Sequence, residues 1–156
     1  MTHRNEVRLH LPGALEGDPR AVQRLLTAFR PLVAKYCRAR IGGYAGTFRI
    51  ADEIAQRACL AVLGELPRYR EQSRPFLAFV YGITAGVVDG AGVINYHPLD
   101  RLPATQRDVV ILRTVVGLSA EETAEAVSMS PSGVRLAQHK ALEALRGTMR
   151  PESGAG

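Results

Sequence analysis

The sequence predicts an all-α fold divided into two small helical domains. Three observations carry that prediction. Apolar residues recur at three- and four-residue steps through successive segments, the period of one helix face. Residues that start and stop helices stand at the ends of those segments. No segment alternates apolar and polar residues as a half-buried strand would. At 156 residues, 46% hydrophobic and 22% charged, the chain has the balance of a folded protein and the length of one ordinary domain or two small ones. Aromatics make up only 6% and tryptophan is absent, so the core must come mainly from Leu, Val, Ile and Ala.

The first predicted helix runs from Pro19 to Arg40. Asp18 is a good N-cap, and Pro19 suits the first helical position, where a missing N–H costs nothing. Val22, Leu25, Leu26, Phe29, Leu32, Val33, Tyr36 and Cys37 trace one apolar stripe. Pro31 should kink this helix without ending it, because the stripe continues beyond it. Gly42-Gly43 closes the element. A second helix is expected from Ile50 to Leu66, with Ile54, Ala58, Val62 and Leu66 on one face and Asp52 and Glu53 in the dipole-favoured first turn. A third begins near Pro75 and carries Phe76, Phe79, Val80, Ile83 and Val87, weakened by Gly82, Gly86 and Gly90. Gly90 to Pro98 reads as a connector.

Pro103 to Val116 is amphipathic, with Val109, Leu112 and Val116 on one side and Gly117 where a C-terminal glycine belongs. Ser119 and Glu122 have capping-box spacing and open a short helix that breaks at Ser128-Met129-Ser130. Ser130-Pro131 starts the last helix, whose inner face is Val134, Ala137, Ala141, Leu142 and Leu145. Pro151 to Gly156 is expected to fray. These elements divide the chain into a domain over 10–90, a short linker over 91–100 and a second domain over 101–148.

Charge narrows the function classes. The net charge is +5, and residues 1 to 90 hold 13 basic and 8 acidic side chains, against 7 and 7 from 91 to 156. Within the second part, Glu121, Glu122 and Glu125 form an acidic cluster ahead of Arg135, Lys140, Arg146 and Arg150. A moderate positive surplus suits an anionic partner and equally suits solvated helix faces. Cys37 and Cys59 cannot make a disulfide framework, and His3, His10, His97 and His139 lack metal-ligand spacing. There is no phosphate-cradling or dinucleotide glycine pattern, so neither an enzyme nor a bound cofactor is expected. The run from Pro75 to Val88 is too short to insert in a membrane, and the N-terminus lacks a signal-peptide pattern, which makes the cytoplasm the default location.

Ser119 to Leu145 has the proportions of a helix-turn-helix, in which the N-terminal turns of the second helix fit the DNA major groove. Ser130 caps that helix, and Ser132, Arg135, Leu136, Gln138, His139 and Lys140 lie away from its apolar face. Arg can fork to guanine and Gln can pair with an adenine edge. Ser, His and Lys can reach base or phosphate oxygens. Any helical hairpin with a polar outer face shares this pattern.

Longer stretches carry a resemblance. Leu102-Pro-Ala-Thr-Gln-Arg-Asp-Val-Val-Ile-Leu-Arg, then Gly117-Leu-Ser-Ala-Glu-Glu-Thr-Ala-Glu-Ala-Val, then Val134-Arg-Leu-Ala-Gln-His-Lys-Ala-Leu resemble region four of bacterial sigma factors, especially the extracytoplasmic-function (ECF) group. Gly17-Asp-Pro with the long helix after it, Ile50-Ala-Asp-Glu-Ile-Ala-Gln-Arg-Ala-Cys-Leu-Ala-Val and Arg74-Pro-Phe-Leu-Ala-Phe-Val-Tyr-Gly-Ile resemble region two. The resemblance implies a region-two-like helical bundle and a region-four-like helix-turn-helix, together acting as a promoter-specificity subunit of core RNA polymerase. It implies that region four reads the upstream promoter DNA and docks on the beta flap. Region two would bind the beta-prime clamp coiled coil and melt the downstream element. By position, Asp52, Glu53, Gln56 and Arg57 would face the clamp, and Phe76, Phe79 and Tyr81 would pack the core near the melted strand. The resemblance leaves room for an anti-sigma factor as a further partner.

The chain departs from that pattern at the end of region two and in its linker. Ala85 and Gly86 stand where Arg and Asn usually fall; Asp89 is kept, but Gly90-Ala-Gly-Val follows it in place of a basic run. Asp89 to Leu102 is also a short tether, about 45 Å at full extension. Two other readings therefore stay open: a sigma-like protein that docks on polymerase or DNA without supporting initiation, and a dimeric helix-turn-helix regulator.

Overall fold

The N-terminal segment, for which the apolar pattern predicts no element, is helical: α1 spans His3–Leu15 and begins ahead of residue 10, the expected start of the first domain. Val7, Leu11 and Ala14 form its buried face. They pack on α2, Pro19–Ile41, so closely that a Cβ placed on Gly13 would lie 2.9 Å from the Ala21 Cβ. Glycine at 13 is what permits that approach. Asp18 caps α2 as expected, its Oδ1 accepting from the Arg20 N–H at 3.0 Å. The helix persists through Pro31 and ends at Gly42, whose φ is 97°.

The computed structural model describes residues 3–42, 47–69, 74–92 and 98–149, which fall in two units, Met1–Val93 and Ile94–Gly156. Gly43, the connector between residues 92 and 98 and the tail after 149 lie outside the described residues. No strand occurs among the described residues.

The rest of the first unit packs on α2. Helix α3, Thr47–Glu65, starts earlier than expected and runs into a 3₁₀ turn at Leu66–Arg68. Ile54, Ala58, Val62 and Leu66 are buried as one face. Helix α4, Phe76–Gly90, buries Phe76, Ala78, Val80, Thr84 and Val88. Ile83 and Val87, expected inside, are only half-buried. Thr84 can take the inner position because its hydroxyl donates to the Val80 carbonyl at 2.8 Å and so is not left unpaired. Arg40 joins the far ends of α2 and α4, reaching Asp89 at 2.7 Å and the Tyr36 hydroxyl at 2.7 Å.

The second unit opens with a 3₁₀ turn, Pro98–Arg101. Helix α5, Ala104–Val110, continues as a π-helical turn over Ile111–Val116. Helices α6, Ala120–Val127, and α7, Pro131–Met149, follow. Val109 and Val134 are fully buried against Ala120, Ala124 and Ala137. A second cluster of Leu102, Val110 and Ala141 extends this core toward Leu145. Small alanines on α6 and α7 let the two helices cross closely, which leaves the outer face of α7 standing clear.

Candidate nucleic-acid and protein-docking surfaces

Local chemistry builds the helix-turn-helix. Gly117 takes the left-handed conformation at φ 89°, so the Gly117 and Leu118 N–H groups both turn back to the Leu112 carbonyl, at 3.0 and 2.8 Å. A residue with a Cβ is disfavoured there. Ser119 and Glu122 form the full capping box: Ser119 Oγ accepts from the Glu122 N–H, Glu122 Oε1 accepts from the Ser119 N–H, both at 3.0 Å. Ser128 ends α6 at φ 58°, its N–H on the Ala124 carbonyl. Ser130 Oγ then caps α7 by accepting from the Gly133 N–H at 3.0 Å.

This scaffold turns most of the predicted α7 residues to solvent. Ser130, Ser132, Arg135, Leu136, His139 and Lys140 are all exposed. Leu136 keeps 54% of its surface, a large apolar side chain in the middle of a polar face. Arg135 Nη2 lies 3.2 Å from Glu121 Oε1, and His139 Nε2 lies 3.2 Å from Glu143 Oε1. Both are solvent-exposed pairs of the kind that holds a side chain weakly, so a phosphate or base edge can replace the carboxylate. The Glu121 carboxyl sits below the usual carboxylate range, held first by its own backbone N–H and then by Arg135. Lys140 has no ion-pair partner among the described residues.

Gln138 behaves differently. It is half-buried, and its Oε1 accepts from Arg113 Nε at 3.1 Å, while Arg113 Nη1 donates to the Leu118 carbonyl at 3.0 Å. Arg113 is a residue that reading the sequence missed. Nothing local marks it, because its partner on α7 stands 25 positions away.

The second candidate surface is on α2 and α3. Asp52 is exposed and gripped by Arg38 in a two-pronged pair, Nε to Oδ1 and Nη2 to Oδ2, each 2.9 Å. The Arg38 guanidinium holds the Asp52 carboxyl below its ordinary value, and Asp52 in turn raises that of Arg38. Arg38 also lies over the Phe48 ring, 5.3 Å from its centre. Glu53 is 3.7 Å from Arg49, and Gln56 and Arg57 are exposed. Of the four predicted residues, Asp52 and Gln56 line a cleft of about 520 Å³ between the two helices, whose walls include Leu26, Arg30, Leu60 and Leu63. Glu53 and Arg57 do not line it.

Neither Cys59, which lines this cleft, nor Cys37 beside it offers a reactive thiolate. Burial, and then Cys59 beside it, pushes Cys37 up to about 12, and burial raises Cys59 as well. No group of three or more His, Cys, Asp or Glu able to hold a metal ion occurs among the described residues.

Of the α4 aromatics, Phe76 is buried and Phe79 and Tyr81 are half-buried, each packed against another ring. Phe76 meets Phe29 and Tyr69 edge-on, Phe79 tilts against both Tyr69 and Phe76, and Tyr81 meets Tyr36 edge-on. Rings engaged in this way are not free platforms for bases. Asp89 is the one charged residue on α4, and Arg40 holds it.

Comparison with known proteins identifies the family of both units. Residues 25–88 match the family profile for Sigma-70 region 2, and residues 98–145 match that for Sigma-70, region 4. The ECF RNA polymerase sigma factor SigD of Mycobacterium tuberculosis is 41% identical over 167 aligned positions, covering 85% of this chain and 79% of SigD. The ECF RNA polymerase sigma factor ShbA of Streptomyces griseus is 36% identical over 171 positions, covering 85% of this chain and 90% of ShbA. Among solved structures, CnrH in complex with the cytosolic domain of CnrY has the same fold, with a TM-score of 0.73 at 22% identity, covering 94% of this chain and 98% of that one. No helix among the described residues is long and apolar enough to cross a membrane.

Proposed function

Because the chain belongs to the sigma-70 family of RNA polymerase sigma factors, in its ECF group, we propose a division of labour between its two units. The established part is coarse: this is a sigma factor that works with RNA polymerase and directs promoter recognition in transcription initiation, and it is not an enzyme. The proposed part assigns surfaces. Helix α7 reads the upstream promoter element in the major groove through Ser132, Arg135, Leu136, His139 and Lys140, with Ser130 fixing its first turn. The cleft of α2 and α3, with Asp52 and Gln56 on its rim and Glu53 and Arg57 nearby, receives the beta-prime clamp coiled coil, and the second unit also docks on the beta flap.

The observation that carries this reading is the exposed polar face of α7 above a fully buried Val134. A capped helix N-terminus with its polar side in solvent can enter a groove without refolding. These roles fall to a first domain over 10–90 and a second over 101–148, joined by a linker over 91–100. An anti-sigma factor is proposed as a further partner; the fold relative CnrH was solved with a cytosolic domain bound.

A second reading is favoured by α4, which carries no Lys or Arg of its own to grip phosphates, although Arg74 lies against it at Gly82. On that reading the chain docks on polymerase and upstream DNA but melts the downstream element poorly. One experiment separates them. The full chain is mixed with core RNA polymerase, and capture and run-off transcription are measured separately. Capture with a transcript supports the first reading, and capture without one supports the second. No capture overturns both. Asp52→Ala and Gln56→Ala should lower capture if the cleft is the clamp site.

A further inference from the structure

Gln138 is the one predicted base reader that is half-buried; the others are exposed. It follows the buried Val134 by four positions and precedes the buried Ala141 by three, so it shares a stripe with the core side of α7. A guanidinium has donors and no acceptor, so the atom Gln138 turns toward Arg113 must be its carboxamide oxygen. The bidentate pairing of glutamine with adenine uses that same oxygen, together with the amide NH2. Here the oxygen already faces a cation at 3.1 Å, on the inner side of the helix.

Arg113 makes this more than one hydrogen bond. From the π-helical turn it donates to Leu118, in the turn that leads into α6, and to Gln138 on α7. The π-helical turn and Leu118, already joined through the Leu112 carbonyl, are thereby tied to α7 by one planar, forked group. The other contacts between α6 and α7 are small apolar side chains such as Ala124 and Ala137 and the solvent-exposed Arg135–Glu121 pair, which resist rotation weakly.

We propose that Arg113 and Gln138 are positioning residues that set the angle of α7, and that Gln138 does not itself read a base. The pair fixes where Arg135 and His139 arrive in the groove. This rests on α7 being the recognition helix.

The test is a selection by the full chain, assembled with core polymerase, on a pool of duplexes randomised through the upstream element. Gln138→Met keeps the Arg113 bond to Leu118 and removes only the link to α7. It should reduce base discrimination by roughly fivefold at several positions together, the low end of what one base contact supplies. Gln138→Glu restores an acceptor for Arg113 and should return the original base profile. A true base reader gives the opposite pattern: Gln138→Met flattens a single position and Gln138→Glu switches that position toward cytosine. Either of those results, or an unchanged profile in Gln138→Met, overturns the proposal. Thermal melting confirms that both variants fold. Arg135→Ala in the same selection checks the reading beneath: if it changes nothing, α7 is not the recognition helix, and the fault lies there.

Discussion

Helices α4 and α7 are the two elements expected to meet promoter DNA, and they are built on opposite terms. Helix α4 spends its side chains on the interior, with aromatic rings interlocked below it and Arg40 holding its lone charge, Asp89. Helix α7 buries a narrow stripe of Val134, Ala137 and Ala141 and leaves Arg135, His139 and Lys140 in solvent. DNA binding scales with the number of phosphates a protein neutralises. The difference separates a helix built for packing from one whose outer face is free to meet phosphates.

The largest expected effect tests the packing half of that comparison. Phe29 is fully buried and meets Phe76 edge-on with ring centres 6.0 Å apart. Phe29→Ala should destabilise the first unit by about 3–5 kcal/mol. Hydrogen exchange should speed up in α2, α3 and α4 while protection in α5 to α7 stays as it was. Equal loss in both units would break the comparison, because the two cores would then be one cooperative body.

Next in size are the α7 cations. Arg135→Ala should cost about 1–3 kcal/mol in binding the upstream element and relax preference at one base position. Lys140→Ala should weaken every sequence alike and lower the salt slope by about one unit. Both are read by titrating labelled duplexes at several salt concentrations.

A gain of function probes α4. Gly86 is exposed, and a Cβ built there meets nothing within 4 Å. Gly86→Ala should stabilise the helix by roughly 1 kcal/mol with no change in DNA binding. Gly86→Arg should keep most of that gain and steepen the salt dependence by about 0.7 if α4 meets single-stranded DNA. Identical salt slopes for the two variants would show that α4 never comes near the strand.

What could be read from the sequence divides along the same physical line. Asp18-Pro19, the Ser119–Glu122 box, Gly117 and Ser130-Pro131 were legible because each acts on backbone groups within a few residues of itself. The buried face of α3 was legible because its period is that of the helix. Helix α1 was not: Pro12 and Gly13 look like breakers, and the helix is held by Val7, Leu11 and Ala14 against α2. The inner face of α4 was displaced because a threonine that satisfies its own hydroxyl can be as buried as a valine. Arg113–Gln138, Arg38–Asp52 and Arg40–Asp89 were out of reach, since their partners meet only after the helices pack. Most of the exposed α7 face was visible in advance, and the one misplaced member, Gln138, was misplaced for that reason.

The smallest effect on stability belongs to Asp52, and it sharpens the contrast most at the docking cleft. Asp52 is exposed and its carboxyl is held low by Arg38. For a carboxylate whose folded value is depressed, the stabilisation is present above the unfolded value of about 3.9 and is lost as pH falls through the folded one. Asp52→Asn should therefore leave the melting temperature at pH 7 almost unchanged, and any difference from the parent chain should vanish once acid protonates the folded carboxylate. Capture of core polymerase should fall clearly at pH 7, because a partner helix meets the lost charge and a released Arg38 together. A carboxylate that matters to a partner and hardly at all to the fold is what separates a docking residue from a structural one. If stability and capture fell in parallel, Asp52 would belong to the packing of α2 on α3, and the cleft would lose its claim as an interface.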